Sequence, residues 1–284
     1  MKAKSNNFVI IVNAFSRAAS LRNCLESIKH ANEDFKIPVV IILQLGFPEV
    51  SEVITYYSSD ISLIKTIDGI GRTPLENINH NRLVAYEIGF NDFMADWVIA
   101  IEEDVLVSKD SLNFITFAVE KYRNDPFFRG VNLGSREPFD DSLFNTYSKL
   151  RYGMHGQASV IGKRTWNYIE RKQVFKKFSK HGFDSLVELH LRSGFMVTPN
   201  LSRSLDTGWD GTHMPEKNDN YFTEIRASFV GKHSNPSEYI RRDINHRWRD
   251  DIEIYSLYRL PLVLILAKWN SLKHRIKCHL GSIS

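Results

Sequence analysis

The segment "WVIAIEEDVLVSKDSL", residues 97–112, carries the side chains best suited to chemistry. An apolar run from Trp97 to Ile101 ends in Glu102, Glu103 and Asp104, and a second apolar stretch follows at once. Adjacent carboxylates repel, and burying them is costly unless a positive charge joins them. The triplet therefore either turns into solvent at a strand-to-loop corner or holds a cation. Mn2+ or Mg2+ suits such a place, because these ions take octahedral oxygen ligands, often one or two carboxylates plus substrate phosphates. A nucleotide-activated sugar supplies those phosphates, and a cation neutralises the diphosphate as it leaves.

The surrounding elements decide where the triplet sits. "FVIIVNAF" (8–15) is a continuous apolar run, the pattern of a strand buried on both faces. "SRAASLRNCLESIKHA" reads as a helix, with Leu21, Leu25 and Ile28 at helical spacing and Ser20 as a candidate cap. "IPVVIILQLG" (37–46), "ISLIKTI" (61–67) and "DWVIAIEED" (96–104) read as further strands, and "NHNRLVAYEIGFNDFMA" (79–95) as a helix. Alternating strands and helices predict an open α/β sheet, in which ligands bind beyond the carboxyl ends of the strands. If the strands are parallel, the Asn13–Arg17 turn, the Gln44–Gly46 turn and the acidic triplet share one edge. Beyond residue 105 the pattern loosens. A helix is expected over 111–125, strands and loops over 130–160, and a basic helix from Lys163. Residues 199–222 are polar and turn-rich, a length at which a loop is functional or disordered.

Composition narrows the function classes. The 284 residues are 43% hydrophobic and 25% charged, which is ordinary for a soluble globular protein. The net charge of +4 suits an anionic ligand or membrane surface and does not indicate a nucleic-acid binder. The basic stretches "RKQVFKK" and "KFSKH" carry interleaved aromatics and read as an exposed helix or the rim of an acceptor site. Two distant cysteines, Cys24 and Cys278, offer neither a disulfide framework nor a cysteine metal site. The polar start and the short apolar run Phe8 to Val12 do not resemble a secretory leader, so a cytoplasmic location is expected. The tail, 252–284, joins a compact apolar stretch to Lys268, Lys273, Arg275 and Lys277. It either packs on the domain as a helix or lies on the anionic inner face of a membrane.

Three segments, in order, carry a resemblance. "FVIIVNAFSRAASLRNCLESI" looks like the opening of GT-A glycosyltransferases. "VIAIEEDVLVSKDSLNF" resembles the acidic metal motif of the N-acetylglucosaminyltransferase I family, and "TPNLSRSLDTGWDGTHM" with "NYFTE" is similar to that family's Pro-x-x-Ser-Arg segment. The resemblance spans about residues 8–225. It implies a GT-A-like α/β fold: a Rossmann-like nucleotide-binding half over 1–105, an acceptor half with a smaller mixed sheet over 106–235, and a helical, basic tail over 236–284. It also implies an inverting transferase that uses Mn2+ and a UDP-sugar, UDP-N-acetylglucosamine or a relative. The acceptor would be a saccharide, or a lipid-linked saccharide of surface glycan synthesis. Asp104 would be the metal ligand, and Glu102 and Glu103 would line the nucleotide. "HGFDSLVELHLR" places Asp184 at the family's catalytic base, with Glu188 one helical turn later as the reserve. The same residues also read as a plain helix start capped by Asp184. The sequence departs from the family in two places: Gln44-Leu45 stands where the family has Gln-Asp facing the nucleobase, and Glu103 replaces the middle Asp of the metal motif.

Smaller candidates complete the expected site. Asn13, Ala14 and Arg17 follow the first strand, where Arg17 would meet a phosphate or remain a surface Arg. His80, Asn81 and Arg82 are expected at a helix start, where the positive dipole end favours phosphate. Arg203 would neutralise the diphosphate or form a structural salt bridge. His213 would add a metal ligand or stay exposed. Trp209, between Gly208 and Gly211, would cover a sugar ring in a closing loop or anchor that loop. Three other readings stand beside sugar transfer by this family: a family-2-type transferase, a sugar-phosphate nucleotidylyltransferase, and a non-catalytic glycan-binding protein.

Overall fold

The computed structural model describes residues 7–68, 73–135, 137, 140–150, 158–171, 194–208, 229–231 and 238–244. The first apolar run is β1 (Phe8–Ala14). Its Ile10, Val12 and Ala14 join one core, and Val9 and Ile11 join the core on the opposite face. A strand covered on both faces leaves no polar positions to alternate, which explains the continuous run. α1 (Ala18–Ala31), β2 (Val39–Gln44), α2 (Pro48–Tyr56), β3 (Leu63–Ile67), α3 (Pro74–Glu87) and β4 (Trp97–Glu102) follow. β3, β2, β1 and β4 are neighbours in that order and all parallel. The carboxyl ends of β1, β2 and β4 therefore do lie on one edge, with Asn13 in register beside Glu102.

Two helix boundaries differ from expectation. α1 starts at Ala18 with Arg17 at its N-cap, so Ser20 lies inside the helix and caps nothing. α3 starts at Pro74, not near Asn79, because Thr73 and Glu76 form a reciprocal capping box ahead of it. His80 and Asn81 thus lie well inside the helix, and the dipole argument for phosphate binding does not apply to them. α2 has no strong sequence signal. It is a nine-residue helix begun by Pro48 that buries Val50, Val53 and Ile54.

The second half comprises β5 (Val105–Val107), α4 (Ser111–Tyr122), β6 (Phe128–Asn132), β7 (Thr146–Leu150), β8 (Ala158–Gly162), α5 (Lys163–Arg171), β9 (Phe195–Pro199), β10 (Ser204–Asp206) and β11 (Ile240–Arg241). One nine-stranded sheet runs β11-β7-β9-β6-β8-β4-β1-β2-β3. β8 enters antiparallel to both β4 and β6, so the sheet is mixed. The smaller sheet expected for this half is the antiparallel ribbon β5–β10, and the remaining strands extend the large sheet. The folded unit also reaches past residue 235. Tyr239 is buried, Ile240–Arg241 pair with β7, and Asn200 Nδ2 donates to the Arg242 carbonyl at 2.8 Å. Among the described residues no helix is long and apolar enough to cross a membrane.

Candidate functional site

The three carboxylates leave the end of β4 in three directions. Glu102, the last strand residue, faces α3 and pairs with the buried Arg82. Glu103 turns toward the start of α1, where its carboxylate accepts the backbone N–H groups of Phe15 (2.6 Å), Ser16 (3.2 Å) and Arg17 (3.3 Å). Those donors belong to a helix start that has no side-chain cap of its own, so a glutamate 86–88 residues away supplies one. Burial pushes the Glu103 carboxyl up, and the three amides oppose that shift. Glu103 was expected to line the nucleotide, but its oxygens hold the β1–α1 turn instead.

Asp104 is the carboxylate left for chemistry. It sits between β4 and β5 and pairs through Oδ2 with Arg17 Nη1. Its other oxygen, Oδ1, is buried and has no hydrogen-bond partner. Burial, then the charges of Glu102 and Asp206, push its carboxyl up to about 7, although Arg17 pulls the other way. Asp206 comes from the far end of the ribbon, where it pairs with Val105. The ribbon is fixed by Thr207, which donates to the Asp104 carbonyl from its backbone N (2.8 Å) and from Oγ1 (2.7 Å). The backbone N–H of Gly208 donates to Asp206 Oδ1 at 2.7 Å. A Cβ on Gly208 would overlap both Asp104 Oδ2 and Arg17 Nη1, so any larger residue must displace this carboxylate–guanidinium pair.

Among the described residues no three His, Cys, Asp or Glu side chains form a ready-made metal cluster. The donor set still fits a hard divalent cation. Asp104 Oδ1 is a buried carboxylate oxygen without a partner, and Asp206 is a second carboxylate beside it. One or two protein carboxylates completed by phosphate and water oxygens is the usual ligand set of Mg2+ and its close relatives.

Of the other candidates, Asn13, Ala14 and Arg17 lie at the end of β1 and in the turn after it, and Gln44 ends β2 on the same edge. Both polar atoms of the Asn13 side chain are buried without partners. Leu45, which replaces the family's Asp, is 57% exposed, and nearby Phe15 packs edge-on against Phe47 with ring centroids 4.8 Å apart. Asn81 is buried within α3, and Arg82 acts through its ion pair with Glu102. Arg203 is not at this edge's surface. It is fully buried and pairs with Asp110 at 3.2 Å, and it also donates to the Leu201 carbonyl at 2.8 Å. Asp184, Glu188, Trp209 and His213 lie outside the described residues. Sequence reasoning did not single out Asp206. Its only signal is a carboxylate two residues before a glycine, and its pairing with β5 is invisible locally.

No protein-family model matches the chain, and no curated protein matches it in sequence. Solved structures match it in shape. S. aureus TarS 1–349 in complex with UDP superposes with a TM-score of 0.51 at 10% identity, over 70% of this chain and 59% of that one. The mannosyltransferase PcManGT from Pyrobaculum calidifontis, in complex with GDP-Man and Mn2+, superposes with a TM-score of 0.52 at 14% identity, over 93% of this chain and 73% of that one. The chain thus spans less than two thirds of the TarS fragment's length. Likeness at such identities establishes architecture, and the architecture is the GT-A-like α/β fold.

Proposed function

We propose that the chain is a metal-dependent glycosyltransferase that moves a sugar from a nucleoside-diphosphate sugar to a saccharide hydroxyl. The carrying observation is Asp104, a half-buried carboxylate with one buried, unpartnered oxygen at the carboxyl edge of four parallel strands. This is where open α/β sheets bind their ligands. When bound there, a divalent cation would neutralise charge on the departing diphosphate. Asp104 and Asp206 would hold it, and Arg17 would turn from Asp104 toward a phosphate oxygen. The fold shared with structures holding UDP and GDP-Man supports a nucleotide-sugar donor. The resemblance to the N-acetylglucosaminyltransferase I family supports UDP-N-acetylglucosamine or a relative as donor, with inversion at the anomeric carbon. In that reading Asp184 takes the proton of the acceptor hydroxyl. The acceptor oxygen attacks the anomeric carbon from the face opposite the diphosphate, which leaves with the bonding pair. Leu45, Phe15 and Phe47 offer the nucleobase an apolar edge rather than a carboxylate.

The nucleotidylyltransferase reading needs a glycine-rich loop after β1 whose amides cradle phosphates. Here the turn amides of Phe15, Ser16 and Arg17 already bind Glu103, which favours transfer over nucleotidylyl chemistry.

The test is calorimetry with UDP and GDP, with and without Mn2+, followed by turnover of a nucleotide-sugar panel. Metal-dependent binding of one nucleotide, with binding kept but turnover lost in Asp184→Asn, is the expected result. Absence of metal-dependent nucleotide binding would refute the proposal. A second variant probes the closed turn. Gly208→Ala should weaken metal-dependent nucleotide binding by about tenfold or more, on the order of 1.4 kcal/mol. The added methyl displaces Asp104 and Arg17. Unchanged affinity in calorimetry would place the nucleotide elsewhere.

A further inference from the structure

A second cavity opens at the opposite edge of the sheet. It holds about 400 Å3 at the amino end of β4, with Trp97, Phe128 and Gly162 in its lining. Trp97 and Glu102 are five residues apart on β4, so the cavity is about 17 Å from the carboxylates at roughly 3.3 Å per residue. That separation makes it a different site from the proposed donor pocket. Its volume falls within the range of ligand pockets, about 300–1,000 Å3.

The charges around it are one-sided. Among the described residues, Arg123, Lys163 and Arg164 line the cavity together with one carboxylate, Asp96. Backbone carbonyls hold Lys163 and Arg164 in place. Lys163 Nζ donates to the Phe90 carbonyl at 3.0 Å, and Arg164 Nη2 donates to the carbonyls of Asp125 and Phe128. Each of these side chains keeps further N–H donors beyond those bonds. Lys163 also begins α5, so the positive end of that nine-residue helix adds to the same field. The helix follows Gly162 directly, and a Cβ there would lie 2.7 Å from the Trp97 ring. The absent side chain lets the indole pack against the chain at the entrance of the helix, whose first amide, Lys163 N–H, donates to the Asp96 carbonyl at 2.9 Å.

We propose that this cavity is a second ligand site that takes a phosphate ester of a small polyol, either free or as the head group of an anionic lipid. Three cations and a helix start supply the recognition of phosphate, and the indole face supplies a surface for a polyol chain. The site would let the protein sense or hold a phosphorylated species without using its donor pocket.

The test follows tryptophan indole resonances in isotope-labelled full-length protein during titration with glycerol 3-phosphate, in parallel with flotation on phosphatidylglycerol vesicles. Saturable movement of the Trp97 resonance is expected, weakened tenfold or more in Lys163→Gln/Arg123→Gln and kept in Lys163→Arg. Saturation by the free ester without a difference in flotation identifies a soluble ligand. A flotation loss specific to the double variant identifies a lipid head group; both proteins carry the same basic tail, so the tail's own binding cancels. If Trp97 fails to respond, or wild type and double variant respond and float alike, the proposal falls. The readout is independent of Asp104, so the donor reading can fail while this one stands.

Discussion

Asp104→Asn is expected to abolish metal-dependent sugar transfer, a loss of about 10^3-fold or more, and yet to stabilise the metal-free protein at alkaline pH. The two effects share a cause. The folded chain lifts the Asp104 carboxyl from its ordinary 3.8 to about 7, chiefly by burial and then by the neighbouring carboxylates. A raised acid binds its proton more tightly when folded. Its protonated form is therefore tolerated at low pH, and stability is lost as pH rises from about 4 through 7. That rise corresponds to an energy on the order of 4 kcal/mol between those limits. Asparagine carries no charge to bury, so the variant should escape that loss. With a chelator present, the melting temperature of the variant should exceed that of wild type increasingly between pH 5 and 8. Added Mn2+ should restore the wild type and leave the variant unmoved. A wild type that grows more stable than the variant across that pH range would contradict a strained carboxylate awaiting a cation.

Arg203→Ala should instead cost stability, by about 3–5 kcal/mol, because it leaves the Asp110 charge buried and alone. Both side chains are wholly inaccessible to solvent, and Ser108 Oγ and Tyr239 Oη donate to the same carboxylate at 2.7 and 3.4 Å. The pair therefore ties the start of α4 to the strand leading into β10. Arg203→Lys should recover only part of the loss, since an ammonium cannot repeat the guanidinium's separate bonds to Asp110 and Leu201. Urea denaturation measures both. A variant that keeps its stability and loses only nucleotide affinity would return Arg203 to the phosphate role its sequence context suggests.

Arg203 illustrates what the sequence conceals. Its segment is polar and turn-rich, which reads as ligand-facing, yet Leu201, Ser202 and Arg203 are buried. Polarity in a loop does not distinguish a residue that meets a ligand from one that satisfies carbonyls inside the fold. The parallel strands β1, β2 and β4 were legible because doubly covered strands must be continuously apolar, and that pattern is local. The acidic triplet was legible as a site for the same reason. The division of labour within it was not. Glu102, Glu103 and Asp104 differ in role because one ends a strand and two form a turn: Glu102 meets Arg82 in α3, Glu103 and Asp104 both meet the β1–α1 turn, and Asp104 also faces the like charge of Asp206 in β10. Asp206 depends on ribbon pairing across about a hundred residues, which no local pattern encodes. α3 was placed late because its asparagine-rich first turns mask a capping box that begins at Thr73.

The β5–β10 ribbon also sets a timetable for the molecule's birth. Thr207 lies 103 residues after the Asp104 carbonyl it holds, and Arg17 lies 87 residues before its partner. At synthesis speeds of about 5–20 residues per second, the first four strands exist for roughly 5–20 s before residue 207 is made. During that interval a nascent chain can assemble β1 to β4 and cap the β1–α1 turn with Glu103, while Asp104 still lacks Asp206 and the closing glycine. A ribosome-bound half-product should therefore carry β1 to β4 and the capped turn while Asp104 still lacks the second carboxylate beside it.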